Sequence, residues 1–187
     1  MDDRQARRIE RLTSQPLFPF TGDFQLRELS PPMDAEPPRA GESDDRPCFR
    51  CSENGSPILW RNDRFVISAT PGGPNPVGLF VETVDCIDFD GFDAELAAEV
   101  GVISWHLTRI VEARDDVGRA HLHRFADGAK HFHLWVLGRP AGQLELFGWG
   151  NIVWAQLLPP IADEIRDANH REVVAEFAAA HGGELPS

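Results

Sequence analysis

Two histidines in a stretch of alternating side chains are the residues of this sequence best suited to chemistry. Residues 130–140 read Lys-His-Phe-His-Leu-Trp-Val-Leu-Gly-Arg-Pro. Residues two apart in a β-strand share a face, which would place His131, His133 and Trp135 together. The other face is then apolar, with Phe132, Leu134 and Val136. Imidazole titrates near neutral pH and serves as nucleophile, base or metal ligand. The pattern predicts a strand that lines a site, although two histidines on a half-exposed strand are also simply tolerated.

A second pair, His121 and His123, alternates in the segment 120–125. Turn residues at 126–129 separate it from the first stretch, which predicts an antiparallel hairpin that brings four histidines together. His121 and His123 would then either face the same pocket as His133, supplying acid–base groups or a second, open metal site, or lie on the surface of the hairpin. The surface interpretation is the simpler one.

The cysteines are Cys48 and Cys51, spaced as Cys-x-x-Cys, and Cys86. The charged start of the chain, Met1 to Arg11, has no apolar signal region, so we expect a cytoplasmic protein. An odd number of cysteines in such a chain argues against a disulfide framework. The thiols are therefore available either as a redox pair or as metal ligands.

Composition narrows the class of partner. With 187 residues and 42% apolar content, the chain suits a soluble globular domain. No apolar run is long enough to cross a bilayer, so no membrane partner is expected. A net charge of −12 would repel a polyanion over most of the surface, which argues against extended nucleic-acid binding. A small anionic substrate in a locally positive pocket is still allowed.

The segment from Cys48 to Pro140 predicts an α+β domain with an antiparallel sheet and one long helix. We expect strands at 58–60, 65–69 and 78–84, joined by a turn at 61–63 and a rigid Pro/Gly loop at 71–76. The helix is expected to begin at an N-cap, Asp90. Its apolar residues recur at spacings of three and four: Phe92, Leu96, Val100, Ile103, Leu107, and Ile110 or Val111.

Two segments flank the predicted domain 48–140. Residues 1–47 form an N-terminal extension, with a short polar helix at 4–12 and an apolar run expected to dock on the domain. That run comprises Leu17, Phe18, Phe20, Phe24, Leu26 and Leu29. Residues 30–47 are rich in proline and acid, which predicts a mobile linker. Residues 141–187 are a tail packing on the domain, with a short strand at 144–147 and helices at 151–158 and 171–180.

The order of these parts resembles the histidine triad superfamily. The likeness lies in a Cys-x-x-Cys, two strands, a Pro/Gly loop, a third strand, a helix, and a hairpin that ends in His-x-His, an apolar tail and Arg-Pro. It covers about residues 48–140 and is similar to an actinobacterial-type branch in which Trp follows the second His by two residues, as Trp135 does. The resemblance implies a sheet with one long helix and a possible homodimer.

The resemblance also implies a zinc site. In part of the superfamily the ligands lie at the positions of Cys48, Cys51, Cys86 and His131. The third ligand is commonly His, but thiolate and imidazole both bind zinc. Asp85, next to Cys86, is the fallback. A closed site with three thiolates and one imidazole is structural in character and would fix the linker end to the strand that carries His133.

The resemblance further implies that His133 is the nucleophile, attacking an α-phosphorus to form a covalent nucleotidyl–histidine. Gly128, Lys130 and Arg139 are then candidates to stabilise the phosphate oxygens, and Trp135 is a candidate to stack on a base.

The sequence departs from the family's pattern at three places. A hydrolase has a third His, and a uridylyltransferase a Gln, where Trp135 stands, and an indole N–H only donates. The usual Ser or Thr before the motif is replaced by the stretch 127–129. The family's ribose-binding acidic residue has no match around 68–70. The expected function is nucleotidyl hydrolysis or transfer on a nucleotide-like phosphoester or phosphoramidate. The alternative is a zinc-containing protein that binds a small ligand in the same cleft without catalysis.

Overall fold

The computed structural model describes residues 3–15, 17–22, 25, 27–52 and 55–186. Within these residues there are five β-strands and four α-helices. The strands are β1 (Ile58–Arg61), β2 (Phe65–Ala69), β3 (Val77–Thr83), β4 (Val117–His123) and β5 (His133–Pro140). The helices are α1 (Asp3–Thr13), α2 (Ala94–Glu112), α3 (Trp149–Ala155) and α4 (Asp163–His181). The predicted α+β class is confirmed.

The strands form one antiparallel sheet in the order β1-β2-β3-β5-β4. Its register pairs Leu79 with Val136 across β3 and β5, so the apolar faces of adjacent strands coincide. The core lies between this face and helices α2 and α4. On α2 the buried residues are Val100, Ile103, Leu107, Ile110 and Val111. The stripe read from the sequence is therefore the buried face of the helix.

Three predicted element boundaries are wrong. Asp93, rather than Asp90, is the N-cap of α2, because its Oδ1 accepts a hydrogen bond from the Leu96 N–H at 2.7 Å. Asp90 lies in a separate 3₁₀ turn, Phe89–Gly91. Residues 144–147 do not form a strand, since Leu144–Leu146 is a 3₁₀ turn. Helix α4 begins at Asp163, eight residues before the predicted start, because its first turns are polar and carry little apolar periodicity.

Part of the predicted mobile linker is docked on the domain. Arg39 forms an ion pair with Asp88 at 2.7 Å, and its guanidinium also donates to the carbonyl oxygen of Ala126 at 3.0 Å. Ala40 and Ala129 form an isolated parallel bridge. Residues 39–46 therefore differ from the prediction, because a few charged and backbone contacts hold them without a large apolar surface.

The N-terminal apolar run contacts helix α3, in the tail of the chain, through one backbone group. The carbonyl oxygen of Leu17 accepts a hydrogen bond from the Trp154 indole at 2.9 Å. Leu29, in contrast, is 97% exposed and does not dock. Phe24 and Leu26 lie outside the described residues. In the part of the chain that the structure describes, no helix is long and apolar enough to span a bilayer.

Candidate active site

The four predicted metal ligands converge at one end of the sheet. Cys48 and Cys51 come from the loop before β1, Cys86 follows β3, and His131 precedes β5. Their ligand atoms all lie within 4.8 Å of one another. Nδ1 of His131 is 3.5 Å from Sγ of Cys48 and 3.4 Å from Sγ of Cys51. Tetrahedral zinc, with its usual bond lengths, places sulfur and nitrogen ligands about 3.5 Å apart. The donor set and its spacing therefore fit zinc.

The backbone fixes the tautomer of His131 that a metal needs. Nε2 of His131 is 2.8 Å from the carbonyl oxygen of Thr83, so this nitrogen carries the proton and donates. Nδ1 then keeps its lone pair and faces the sulfur atoms. Such a hydrogen bond to the far nitrogen of a ligating imidazole is the usual support of a metal-bound histidine. Asp85, the fallback ligand, is not one of the four clustered residues.

Two of the three thiols, those of Cys51 and Cys86, are costly to ionise without a cation. Burial raises the pKa of Cys51, and the thiols of Cys48 and Cys86 raise it further, to about 12. Burial also raises the pKa of Cys86. Three thiolates packed together repel one another, and a divalent ion removes that repulsion while binding them.

His133 begins β5 and lies half-buried on the sheet face that points away from α2. Its Nδ1 is 2.9 Å from the carbonyl oxygen of His131, so Nδ1 donates and Nε2 keeps a lone pair. Phe80 of β3 packs edge-on against His133, with ring centroids 6.1 Å apart, and against Trp135, at 4.4 Å. The site is thus an imidazole with one nitrogen fixed and the other available, on an aromatic wall.

The sequence does not predict a group of three polar residues that includes the cross-strand neighbour of His133. Glu82 lies directly opposite His133 in the β3–β5 register. Its carboxylate is buried, accepts a hydrogen bond from Ser68, and pairs with Arg50 at 3.3 Å. Arg50 stands between the two cysteines of the Cys-x-x-Cys motif. A signal was present, since Glu82 interrupts an otherwise apolar strand, but its partner is 32 residues away in the sequence.

The second histidine pair lies on the same sheet face. His123 is opposite Trp135 and His121 opposite Leu137 in the β4–β5 register. His123 stacks on Phe125 with ring centroids 5.5 Å apart. Burial lowers the pKa of both histidines, and the neighbouring His123 lowers the pKa of His121 further. Both are therefore neutral at pH 7.

The predicted phosphate-binding residues are spread out. Lys130 is exposed, and its backbone N–H donates to the Ala40 carbonyl oxygen at 2.9 Å. Gly128 is exposed in the same loop, three residues before His131. Arg139 lies six residues along β5 from His133, about 20 Å in an extended strand. Its Nη1 donates to the carbonyl oxygens of Pro140 and Gln143 at 3.0 and 2.9 Å, so its contacts are with the β5–α3 connection.

Trp135 lines a cavity of about 560 Å³ that continues along the sheet face from His133. Leu137 of β5, Phe125 and the loop at 71–73 also border this space. A volume of this size accommodates a small organic molecule. The cavity and the His133 imidazole are therefore neighbouring parts of one face.

The arrangement of the strands and helices is similar to the fold of the histidine triad proteins. A histidine triad protein from Bradyrhizobium japonicum superposes with a TM-score of 0.53 at 12% identity, covering 65% of this chain and 89% of that one. The predicted fold is confirmed. At this identity the similarity establishes the fold alone.

Two further solved structures are similar. A zinc-bound histidine triad family protein from Mycobacterium smegmatis has a TM-score of 0.49 at 14% identity, covering 67% of this chain and 90% of that one. A hypothetical histidine triad nucleotide-binding protein from Sulfolobus tokodaii has a TM-score of 0.47 at 12% identity, covering 70% and 91%. No protein-family model and no curated protein matches the sequence.

Proposed function

We propose that the protein hydrolyses or transfers a nucleotide-like phosphoester or phosphoramidate through a covalent intermediate on His133. The observation that carries this proposal is the 2.9 Å hydrogen bond from His133 Nδ1 to the His131 carbonyl oxygen. It directs the Nε2 lone pair away from the backbone. A neutral imidazole with one free nitrogen is a good nucleophile toward phosphorus and a good leaving group from it.

The reaction proceeds in two displacements. In the first, the Nε2 lone pair of His133 forms a bond to phosphorus, the bond to the leaving group breaks, and the leaving group takes a proton from water. In the second, water or another acceptor attacks phosphorus and loses its proton, and the bond to Nε2 breaks. The imidazole is regenerated. Trp135 cannot deliver the leaving-group proton because an indole N–H is not acidic enough to transfer it.

The protein supports this chemistry mainly by holding the His133 ring in one orientation. The metal ligand His131 is two residues before His133, and its backbone carbonyl holds the His133 ring. Zinc at the four-residue cluster would hold His131 and therefore orient His133 indirectly. Lys130 and Gly128, in the loop that leads to β5, are the groups proposed to face the phosphate.

The test compares the natural chain with His133→Ala on nucleoside phosphoramidates, dinucleotides and nucleotide sugars. We expect release of nucleoside monophosphate by the natural chain and a loss of at least about a thousandfold in His133→Ala. The intact-protein mass should increase transiently by one nucleotidyl group in the natural chain. His123→Ala, which changes a histidine on the same face, is the matched control and should still form the adduct.

A second function is favoured by one observation, the replacement of a proton-transferring residue by Trp135 beside a large cavity. In this alternative the protein binds a small ligand in the cleft and does not turn it over. The transfer proposal is wrong if no substrate in the panel is consumed and no adduct forms, although the natural chain and His133→Ala contain equal amounts of zinc. The binding function is then the one to test.

A further inference from the structure

The cavity beside Trp135 is closed on two sides by parts of the chain outside the segment that resembles the histidine triad proteins. Ile152, Ala155 and Gln156, at and just beyond α3, close one side, and Arg166 of α4 lies at another. The Trp154 indole of α3 donates to the Leu17 carbonyl oxygen, which ties this helix to the N-terminal segment. The tail of the chain therefore completes a cavity whose floor is the sheet face that carries Trp135.

The cavity floor is tightly packed at Gly78 of β3. Gly78 lies opposite Leu137, and an added Cβ would collide with the hydroxyl oxygen of Thr70. Both Gly78 and Thr70 line the cavity. The Thr70 hydroxyl therefore occupies the space that a side chain at position 78 would need.

Two polar atoms in the cavity wall have no hydrogen-bond partner among the described residues. They are Nε1 of Trp135, a donor, and Oδ1 of Asn75, an acceptor. Asn75 is 8% exposed. Buried polar atoms in proteins generally have a hydrogen-bond partner, so two atoms without one beside a cavity favour a ligand or a water bound there.

A chain of hydrogen bonds fixes the orientation of Asn75. Burial lowers the pKa of His121, so its ring is neutral and Nδ1 accepts from Asn151 Nδ2 at 3.5 Å. The Asn151 Oδ1 then accepts from Asn75 Nδ2 at 3.1 Å. Asn151 is fully buried, which keeps this order in place. The remaining group of Asn75 is its acceptor oxygen.

Charge at the cavity disfavours an anion. Arg166 is the charged residue that lines it, and the Arg166 guanidinium is paired with Asp163 at 2.6 Å and with Asp167 at 2.9 Å. One cation with two carboxylates carries a net negative charge. The other lining groups are mostly apolar or aromatic, which suits a flat, uncharged ring.

We propose that this cavity binds an uncharged planar molecule, or an uncharged planar part of a larger one, that accepts a hydrogen bond from Trp135 and donates one to Asn75. A carboxamide on an aromatic ring and a pyrimidine base both carry this pair of groups. The inference rests on the cavity and its polar atoms, and it holds whether or not His133 reacts. Both atoms are covered in this structure, so the proposal includes a small rotation of the half-buried Trp135 ring toward the ligand.

The test is a titration of the full chain, monitored through its tryptophan indole N–H resonances by NMR. The Trp135 resonance is assigned from its loss in Trp135→Phe. Benzamide and uracil are the probes, and benzoate is the charged control, each up to about 10 mM, the range expected for a small ring. We expect benzamide or uracil, or both, to shift the Trp135 resonance saturably and benzoate to bind at least about tenfold more weakly. The probe that binds more tightly shows whether the ligand is an aromatic carboxamide or a pyrimidine base.

Two substitutions locate the site. Trp135→Phe keeps the ring and removes the donor, so it should weaken probe binding about fivefold, measured from the probe's own signals. Trp105→Phe makes the same change on the exposed face of α2 and should leave binding unchanged. Ala155→Phe should fill the cavity and abolish binding while the indole spectrum remains that of a folded protein. If Ala155→Phe unfolds, Trp135→Phe decides alone.

The proposal is overturned if neither neutral probe shifts the Trp135 resonance, if benzoate binds as tightly as they do, or if Trp135→Phe and Trp105→Phe bind equally. None of these readouts depends on turnover, so failure here is distinguishable from failure of the His133 chemistry.

Discussion

Arg50 and Glu82 form a buried ion pair, with Nε and Oε2 3.3 Å apart and side chains 7% and 3% exposed. Arg50 belongs to the cysteine loop of the candidate metal site, and Glu82 is the cross-strand neighbour of His133. Arg50 also donates from Nη1 to the Ser56 carbonyl oxygen at 2.8 Å. The pair therefore ties the metal loop to the strand beside the candidate nucleophile.

Removing one partner of this pair should be more damaging than removing both. Arg50→Met leaves Glu82 as a buried charge without a cation, and we expect it to lower the free energy of unfolding by about 3–5 kcal/mol. The double variant Arg50→Met with Glu82→Leu replaces the pair by apolar groups and should recover much of that loss. Urea denaturation of the zinc-loaded protein measures both, and equal stability of the single and double variants would contradict the expectation.

Zinc content should distinguish the roles of His131 and His133, which are only two residues apart. We expect about one zinc per chain in the natural protein and in His133→Ala, and much less in His131→Ala, because only His131 contributes to the cluster. Elemental analysis of protein purified without added metal gives the ratio. The zinc assignment is wrong if the natural chain is folded and metal-free, or if Cys86→Ser retains a full equivalent.

The stability of the fold should depend on pH through His170. This residue is 1% exposed, and its Nε2 accepts a hydrogen bond from the Gly78 N–H at 3.1 Å, joining α4 to β3. Burial lowers the pKa of His170 from 6.5 to about 4, with a further contribution from Arg166. The unfolded chain therefore takes up a proton between these values that the folded chain does not.

The direction of the pH dependence follows from the difference between the pKa of His170 in the folded and in the unfolded chain. The contribution of the neutral His170 to the free energy of unfolding is fully present above pH 6.5. It is lost as the pH falls toward 4, by about 3 kcal/mol in total. Denaturation midpoints measured across this range should decrease accordingly. In His170→Gln, which keeps an acceptor and does not titrate, the slope should be smaller. His121, His123 and His181, whose pKa values burial also lowers, leave a smaller slope of the same sign.

Restoring a proton-transferring residue next to the nucleophile should raise turnover. Trp135→His provides an imidazole on the face of His133, and general acid catalysis of leaving-group departure is worth at least about tenfold. The comparison is the rate of adduct formation with a poor leaving group and with a good one. We expect the gain with the poor leaving group only, and Trp135→Phe, which adds no acid, should show none.

The sequence by itself determined those features that are written in local periodicity. The period of two around His133 placed Phe132 and Val136 in the core, and both are buried. The spacing of three and four along α2 gave its buried face. The metal cluster was reached through the family resemblance, and the four residues that it implied do converge. The N-cap was misplaced because three aspartates, Asp88, Asp90 and Asp93, precede the helix and only backbone geometry selects among them.

Only the tertiary structure decided which distant residues meet. Glu82 reads as an isolated acid in an apolar strand, and its contacts with Ser68 and Arg50 exist because β2, β3 and the cysteine loop are brought together by folding. The cavity beside Trp135 likewise depends on α3 and Arg166, which come from the tail of the chain. The physical reason is that the periodicity of side chains along a helix or strand shows only which of its faces is turned toward the core. It contains no information on which remote segment covers the opposite face.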